Sequence, residues 1–178
     1  MTERDTITIG RRSLHHLRAA LERTLGLQAA PLLQDTGFAS GESLMALLDS
    51  FVVARYSVSR PQDLDATYLE EALSGFFAEH GWGTLRLVEL HPGILAADTT
   101  DWAEAGGPPG SYPSCHVSAG LLADLFSRLA GSPFAAMEVE CRTRGDPRCR
   151  FLLAAPDTLR FIYERITHGM TYDQAMGR

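Results

Sequence analysis

At 178 residues the chain has the length of one domain, and its 45% hydrophobic content supplies a core that does not need a metal to exist. Sixteen basic against 22 acidic residues leave a net charge of −6, with basic residues clustered only over 142–150, which argues against nucleic-acid binding. No run of about 18 apolar residues is present, which excludes an ordinary transmembrane helix, and the charged opening Met1-Thr2-Glu3-Arg4-Asp5 does not read as a secretory signal.

The predicted elements begin with an amphipathic helix marked by Leu14, Leu17, Leu21 and Leu25 and closed by Gly26. Leu44, Leu47, Leu48, Phe51 and Val52 predict a second helix starting near Ser40-Gly41. A third runs from Asp65 as its N-cap through Leu69, Leu73, Phe76 and Phe77 to Gly81. Leu85 and Leu87 alternate with Thr84 and Arg86, and His91-Pro92-Gly93 turns the chain into Ile94-Leu95-Ala96-Ala97, a hairpin. Beyond the loop Gly106-Gly107-Pro108-Pro109-Gly110, a helix carries Val117, Leu121, Leu125 and Leu129. A second hairpin forms where Met137–Arg142 and Arg148–Phe151 flank Gly145-Asp146-Pro147, since Gly supplies positive φ and Pro fixes its own. Pro156 and Asp157 open a last helix with Leu159, Ile162, Tyr163 and Ile166 facing inward, and Gly169 ends it. Consecutive hairpins with helices at one side imply an antiparallel sheet and the α+β class.

The chemistry concentrates at Cys115, Cys141 and Cys149, which are all the cysteines of the chain, with Glu138 three residues before the second. The second hairpin brings Cys141 and Cys149 together. Three thiolates and a carboxylate form a closed four-ligand set that suits zinc better than a hard, oxygen-seeking ion. Buried core thiols and a Cys141–Cys149 disulfide are the competing readings. An odd cysteine count and the missing secretory signal speak against the disulfide. The fourth ligand stays open between Glu138, Glu140 and His116. Strand alternation sets Glu138 and Glu140 alike on the face opposite Cys141, so either needs a bulge, a twist or a strand end. Cys115 opens a helix, where the dipole favours a thiolate. Around zinc the four ligands carry a formal charge of about −2, and Arg142, Arg144, Arg148 and Arg150 are placed to donate to the sulfurs. Arg144 reads equally well as part of a solvated strand face.

The runs Pro113-Ser114-Cys115-His116-Val117-Ser118-Ala119-Gly120, Glu138-Val139-Glu140-Cys141-Arg142 and Gly145-Asp146-Pro147-Arg148-Cys149-Arg150-Phe151 resemble the signature of the 4-vinyl-reductase domain family. The resemblance extends upstream through Gly81-Trp82-Gly83 and Asp101-Trp102-Ala103-Glu104-Ala105 and downstream to Pro156-Asp157. That family includes sensory domains of phenol- and xylene-responsive activators and a bacteriochlorophyll-biosynthesis protein, and shares its fold with subunits of the TRAPP trafficking complex. The resemblance implies a TRAPP-like, ligand-binding α+β fold over residues 1–178. Helices over about 1–60 would offer a dimer interface, and 61–170 would form the ligand- and zinc-binding core. It implies Zn²⁺ held by Cys115, Glu138, Cys141 and Cys149, and a cavity beside it with Trp82, Trp102, Tyr112 and Phe126 as candidate lining residues.

A closed metal site leaves no position for a reactive water. The chain carries no Walker loop and no GxGxxG motif. The expectation is therefore a free-standing, non-enzymatic cytoplasmic module, homodimeric, that binds a small hydrophobic or aromatic ligand. A tetrapyrrole-biosynthesis factor and a ligand-free TRAPP-like assembly module are the alternatives.

Overall fold

Two antiparallel hairpins share one sheet. The first pairs β1 (Arg86–His91) with β2 (Ile94–Thr99), and the second pairs β3 (Ala135–Glu140) with β4 (Cys149–Ala154). β2 also pairs with β4, giving the order β1-β2-β4-β3. The computed structural model describes residues 7–177, so the charged stretch at 1–5 lies outside the described residues.

All six residues of β4 are buried, because Phe151-Leu152-Leu153-Ala154 is apolar in both phases of the strand alternation. Phe151 and Leu153 face the larger core, built with α3 (Gly41–Tyr56), α4 (Ala66–Glu79) and α5 (His116–Ala130). Leu152 and Ala154 face a smaller core with Leu159 and Ile162 of α6 (Pro156–Thr167) and with Ala175 and Met176. Helices therefore cover both faces of the sheet, where the sequence pattern placed them at one side. The smaller core draws on residues beyond 170, because the short helix α7 (Tyr172–Ala175) is fixed by a reciprocal cap between Thr171 and Gln174. Tyr163, expected to face inward, is 57% exposed; Leu159 and Ile162, with Ile166 packed beside them, fill the stripe that α6 presents to the sheet.

α1 (Arg11–Leu25) is closed by Gly26 at φ 56°. It docks through its polar side. Arg18, 2% exposed, donates from Nη1 to the carbonyl oxygens of Glu104 (2.9 Å) and Ser114 (3.4 Å) and from Nη2 to that of Gly106 (2.6 Å). Leu17 and Leu25 of the leucine stripe stay exposed.

α2 (Ala29–Phe38), which carries Pro31 and Gly37, is a helix that the sequence pattern did not mark. Pro31 sits in the first turn, where a backbone N–H has no intrahelical partner to lose. Gly37 is a contact: a Cβ there would lie 1.9 Å from the Val117 carbonyl oxygen, and one on Gly120 would lie 1.9 Å from that of Gln34. α2 and α5 thus cross backbone against backbone, which fixes the start of α5 and with it Cys115. Asp65 caps α4, as expected, by accepting the Tyr68 N–H at 3.0 Å. Among the described residues no single helix is long and apolar enough to cross a membrane.

Candidate metal centre and the apolar seam beside it

Cys115 is the residue before the first turn of α5, Cys141 follows β3, and Cys149 opens β4. The chain from β3 to β4 passes through a short 3-10 turn (Arg142–Arg144) and then Gly145 at φ 102°. The Cys141 N–H donates to Asp146 Oδ2 at 2.7 Å and pins this loop. Cys115 Sγ lies 3.9 Å from Cys141 Sγ and 4.0 Å from Cys149 Sγ, and all three thiols are free and buried.

A bulge selects the carboxylate. Glu138 pairs with Phe151 and Glu140 with Arg150, so two steps along β3 answer one along β4. The extra residue sends Glu140 to the other face of the sheet and returns Cys141 to the face of Glu138, whose Oε2 accepts the Cys115 N–H at 2.8 Å. One ligand atom from each of Cys115, Glu138, Cys141 and Cys149 lies within 4.8 Å of the others. Glu140 is turned to the opposite face, where Arg148 donates to it from Nε (2.9 Å) and Nη2 (3.0 Å), joined by the Tyr172 hydroxyl. His116 is adjacent but outside the four-residue group.

The donor set fits a soft divalent cation. Glu138 Oε1 is buried with no hydrogen-bond partner, a costly state for a carboxylate oxygen unless something positive faces it. Burial, then the charge at Cys141, pushes the Glu138 carboxyl up to about 8. Bonds to Cys141 and Cys149, together with burial, hold the Cys115 thiol well above its usual range. The bond to Cys115 lowers Cys149, but the bond to Cys141 and burial outweigh it and leave that thiol raised. Bonds from Cys115 and Cys149 lower Cys141, making it the thiolate of the set. The helix start therefore does not by itself make Cys115 a thiolate, contrary to the expectation from its position. A divalent cation would allow all four groups to ionise together.

The arginines do not point at the sulfurs. Arg148, just before β4, and Arg150 on it flank Cys149, so alternation sends both to the far face. There Arg150 grips Asp98 with two bonds, of 2.7 and 2.6 Å, and Arg148 grips Glu140. Arg144 binds Asp146 and the Val139 carbonyl. Of these four arginines, Arg142 alone meets a cysteine sulfur, its backbone N–H donating to Cys149 Sγ at 3.5 Å.

The pattern of cysteines gave no hint of Glu104. It is 0% exposed and accepts the N–H groups of Val117 (3.0 Å) and Ser118 (2.7 Å) at the start of α5. Burial raises its carboxyl more than these bonds lower it. Ser118 Oγ donates to Glu104 Oε2 at 2.5 Å and accepts the indole N–H of Trp102 at 2.6 Å. An acidic residue beside Trp102 and upstream of a helix start is the one available sequence signal.

Trp102 lines an apolar seam with Leu85, Ala97, Thr99, Leu122 and Phe151, closed so tightly that no water-sized space remains. Thr99 pairs in register with Cys149, and Cys115 and Trp102 share the larger core, so seam and thiols are contiguous. Of the four aromatic candidates, Trp102 lines the seam, and Trp82 stacks on it with ring centres 5.7 Å apart. Phe126 packs in the larger core. Tyr112 is 77% exposed and stands outside the seam, because the segment after the Gly/Pro-rich loop that carries it lies on the surface.

Residues 100–155 match the family model of the V4R domain. Over 131 residues the chain is 30% identical to the bacteriochlorophyll synthase 23 kDa chain of Cereibacter sphaeroides, covering 71% of this chain and 61% of that one. It thus spans about three fifths of that relative's length. The phenol-responsive sensory domain of the transcription activator PoxR, solved with phenol, superposes with a TM-score of 0.56 at 21% identity, covering 84% of this chain and 76% of that one. A trafficking protein particle complex subunit 3 of Naegleria fowleri, solved covalently bound to palmitic acid, superposes with a TM-score of 0.54 at 9% identity, covering 81% and 95%. The cysteine-bearing segment of this chain is thus similar to the V4R domain, and its fold is the one shared by the superposed sensory-domain and trafficking-complex structures.

Proposed function

We propose that this chain is a zinc-braced module that binds a small apolar or aromatic molecule beside the metal, where the seam around Trp102, closed in this structure, opens to admit it, and senses or carries it without transforming it. The observation that carries the reading is the buried Cys115/Glu138/Cys141/Cys149 group, with its orphan Glu138 Oε1, set against an apolar seam in the same core. Zinc would tie the start of α5 to the β3–β4 hairpin and so hold one wall of the seam. Supplied there, the metal contributes structure: four protein ligands complete a tetrahedral site. PoxR's sensory domain was solved with phenol and the Naegleria subunit with palmitic acid. Both support an apolar guest for this fold.

Reduced, buried thiols fit a cytoplasmic setting. The exposed Leu17, Leu25 and Leu27 at the end of α1 and beyond it fit a homodimer contact. A second reading, a factor that handles a tetrapyrrole intermediate, draws on the 30% identity to the bacteriochlorophyll synthase chain. A thermal-shift screen of zinc-loaded protein against alkylbenzenes, phenols, fatty acids and tetrapyrroles tests both readings. A rise in Tm with single-ring compounds supports the sensor or carrier. A response to tetrapyrroles alone favours the second reading. No response in folded, zinc-loaded protein refutes both, and turnover of any compound with added NADPH refutes the non-enzymatic claim.

A further inference from the structure

Three polar side chains one turn apart on α1 reach backbone carbonyls of distant segments. Arg11 Nη2 donates to Gly81 at 2.9 Å, and His15 Nε2 donates to Ala103 at 2.8 Å. Arg18 adds the carbonyls of Glu104, Gly106 and Ser114, on the loop that leads into Cys115. Bonds to carbonyls sense where the backbone of 103–114 stands, whatever its side chains. The dock is also conditional. Arg18 is buried, its Nε has no hydrogen-bond partner, and its ion pair with the 40% exposed Glu22 is 3.7 Å long. A buried cation held by neutral oxygens needs each of them in place.

The same loop is fastened on its other side to the cysteines. Thr143, buried in the 3-10 turn between Cys141 and Cys149, accepts the Gly106 N–H on Oγ1 at 3.0 Å and the Gly110 N–H on its carbonyl at 3.2 Å. Gly106 is thus a node, with its N–H on the turn and its carbonyl on Arg18 Nη2 at 2.6 Å. A Cβ there would stand 2.6 Å from His15 Cε1, so α1 and the loop meet without room for a side chain.

From this arrangement we propose that α1 is a strap whose docking depends on the metal centre, with Thr143 and Arg18, meeting at Gly106, as the positioning residues that couple the two. With the centre loaded, the turn between Cys141 and Cys149 is fixed, Thr143 holds Gly106, and Arg18 finds its three carbonyls. With the centre empty, the turn loosens, the carbonyls diverge, and α1 comes away with its exposed Leu17 and Leu25. α1 is then the output element of the module. This rests on the reading that the four-residue group binds zinc. Linkage requires that docking of α1 tighten zinc by the factor by which zinc tightens α1.

The test is hydrogen exchange over residues 11–25, read by mass spectrometry with zinc and after chelation. Wild type should exchange about tenfold faster in α1 after chelation. Thr143→Val keeps the side-chain shape and all four ligands but loses the hydroxyl, so it should bind zinc while its α1 response shrinks about fivefold, the net worth of one hydrogen bond. Thr143→Ser keeps the oxygen and should respond as wild type does. Arg18→Met should leave α1 loose in both conditions and bind zinc about tenfold more weakly, although Arg18 touches no ligand. Purely structural roles would shift α1 exchange by the same factor in both conditions and preserve the response. An α1 that ignores chelation in wild type shown to bind zinc, or a full response in Thr143→Val, would overturn the proposal and leave the zinc reading intact. Wild type that binds no zinc would overturn both.

Discussion

Replacing Glu138 by Gln separates the metal role of this residue from its structural one. The amide oxygen of the new side chain still accepts the Cys115 N–H that Glu138 Oε2 accepts at 2.8 Å, so the geometry of the helix start is kept. What disappears is the negative charge and one ligand. Loss of a single outer partner of a metal ligand already costs up to about 100-fold in affinity, and loss of the ligand itself costs at least as much. At saturating zinc, a hundredfold weakening removes about 2.7 kcal/mol of stabilisation. For a chain of this size that corresponds to a fall in Tm of about 5–11 °C. In excess chelator the order should reverse or vanish, because the buried carboxyl, pushed up to about 8 without a cation, is replaced by a neutral amide. Glu140→Gln should behave oppositely. It gives up charge-assisted bonds from Arg148 at 2.9 and 3.0 Å and the bond from Tyr172, so it should lose about 1–3 kcal/mol with or without zinc and keep its metal affinity. Paired thermal melts in zinc and in chelator, with competition against a chromophoric chelator, read both quantities. Zinc lost from Glu140→Gln and retained by Glu138→Gln would refute the reasoning.

Gly37→Ala and Gly120→Ala should each destabilise by about 3 kcal/mol in urea unfolding, because the new methyl meets a backbone oxygen at 1.9 Å. Gly75→Ala in α4, where the nearest atom is Phe51 Cζ at 3.4 Å, should be tolerated. Zinc binding at pH 7 should release protons from Cys115, Cys149 and Glu138, all of which are raised. A calorimetric heat that does not vary with the ionisation enthalpy of the buffer would contradict this. Burial raises the Glu140 carboxyl, but bonds from Arg148 and Tyr172 more than reverse that and hold it below its ordinary 4.5. Its contribution is present above that value and is lost as pH falls through the lower folded one, so Glu140→Gln should flatten the acid limb of the stability curve. Chelation should raise hydrogen exchange over 113–120 and 137–152 and spare α3 and α4, which share the larger core but supply none of the four ligands. Uniform loss of protection would show that the metal holds the whole fold.

Much of this site is written locally. Three cysteines and a Gly-Asp-Pro turn are enough to bring Cys141 and Cys149 together, and the ladder pairing of β3 with β4 follows from the alternation around them. Strand alternation left the choice between Glu138 and Glu140 open, and only the family resemblance implied Glu138, because the choice depends on a bulge opposite Phe151 and Arg150, a feature of the pairing of two strands and not of either one. The arginines were misread for a related reason. Their nearness to Cys149 along the chain is what sends them to the other face of β4. Gly37 was unreadable because its value lies in a distant partner, Gly120 on α5, and a glycine at a helix crossing looks locally like a helix breaker. In α1 the 3.6-residue stripe correctly marked a helix but not the side that docks, since Arg18 finds its carbonyl partners only after the 104–114 loop has folded over it.

Native mass spectrometry of the chain, purified without chelator or added ligand, tests the metal centre most directly. A mass one zinc above that of the chain, less the protons displaced from the thiols and Glu138, is the expected result, with the metal lost from Glu138→Gln and kept by Glu140→Gln. A metal-free mass in folded protein, or a mass two hydrogens short of the reduced chain from a Cys141–Cys149 disulfide, would contradict it.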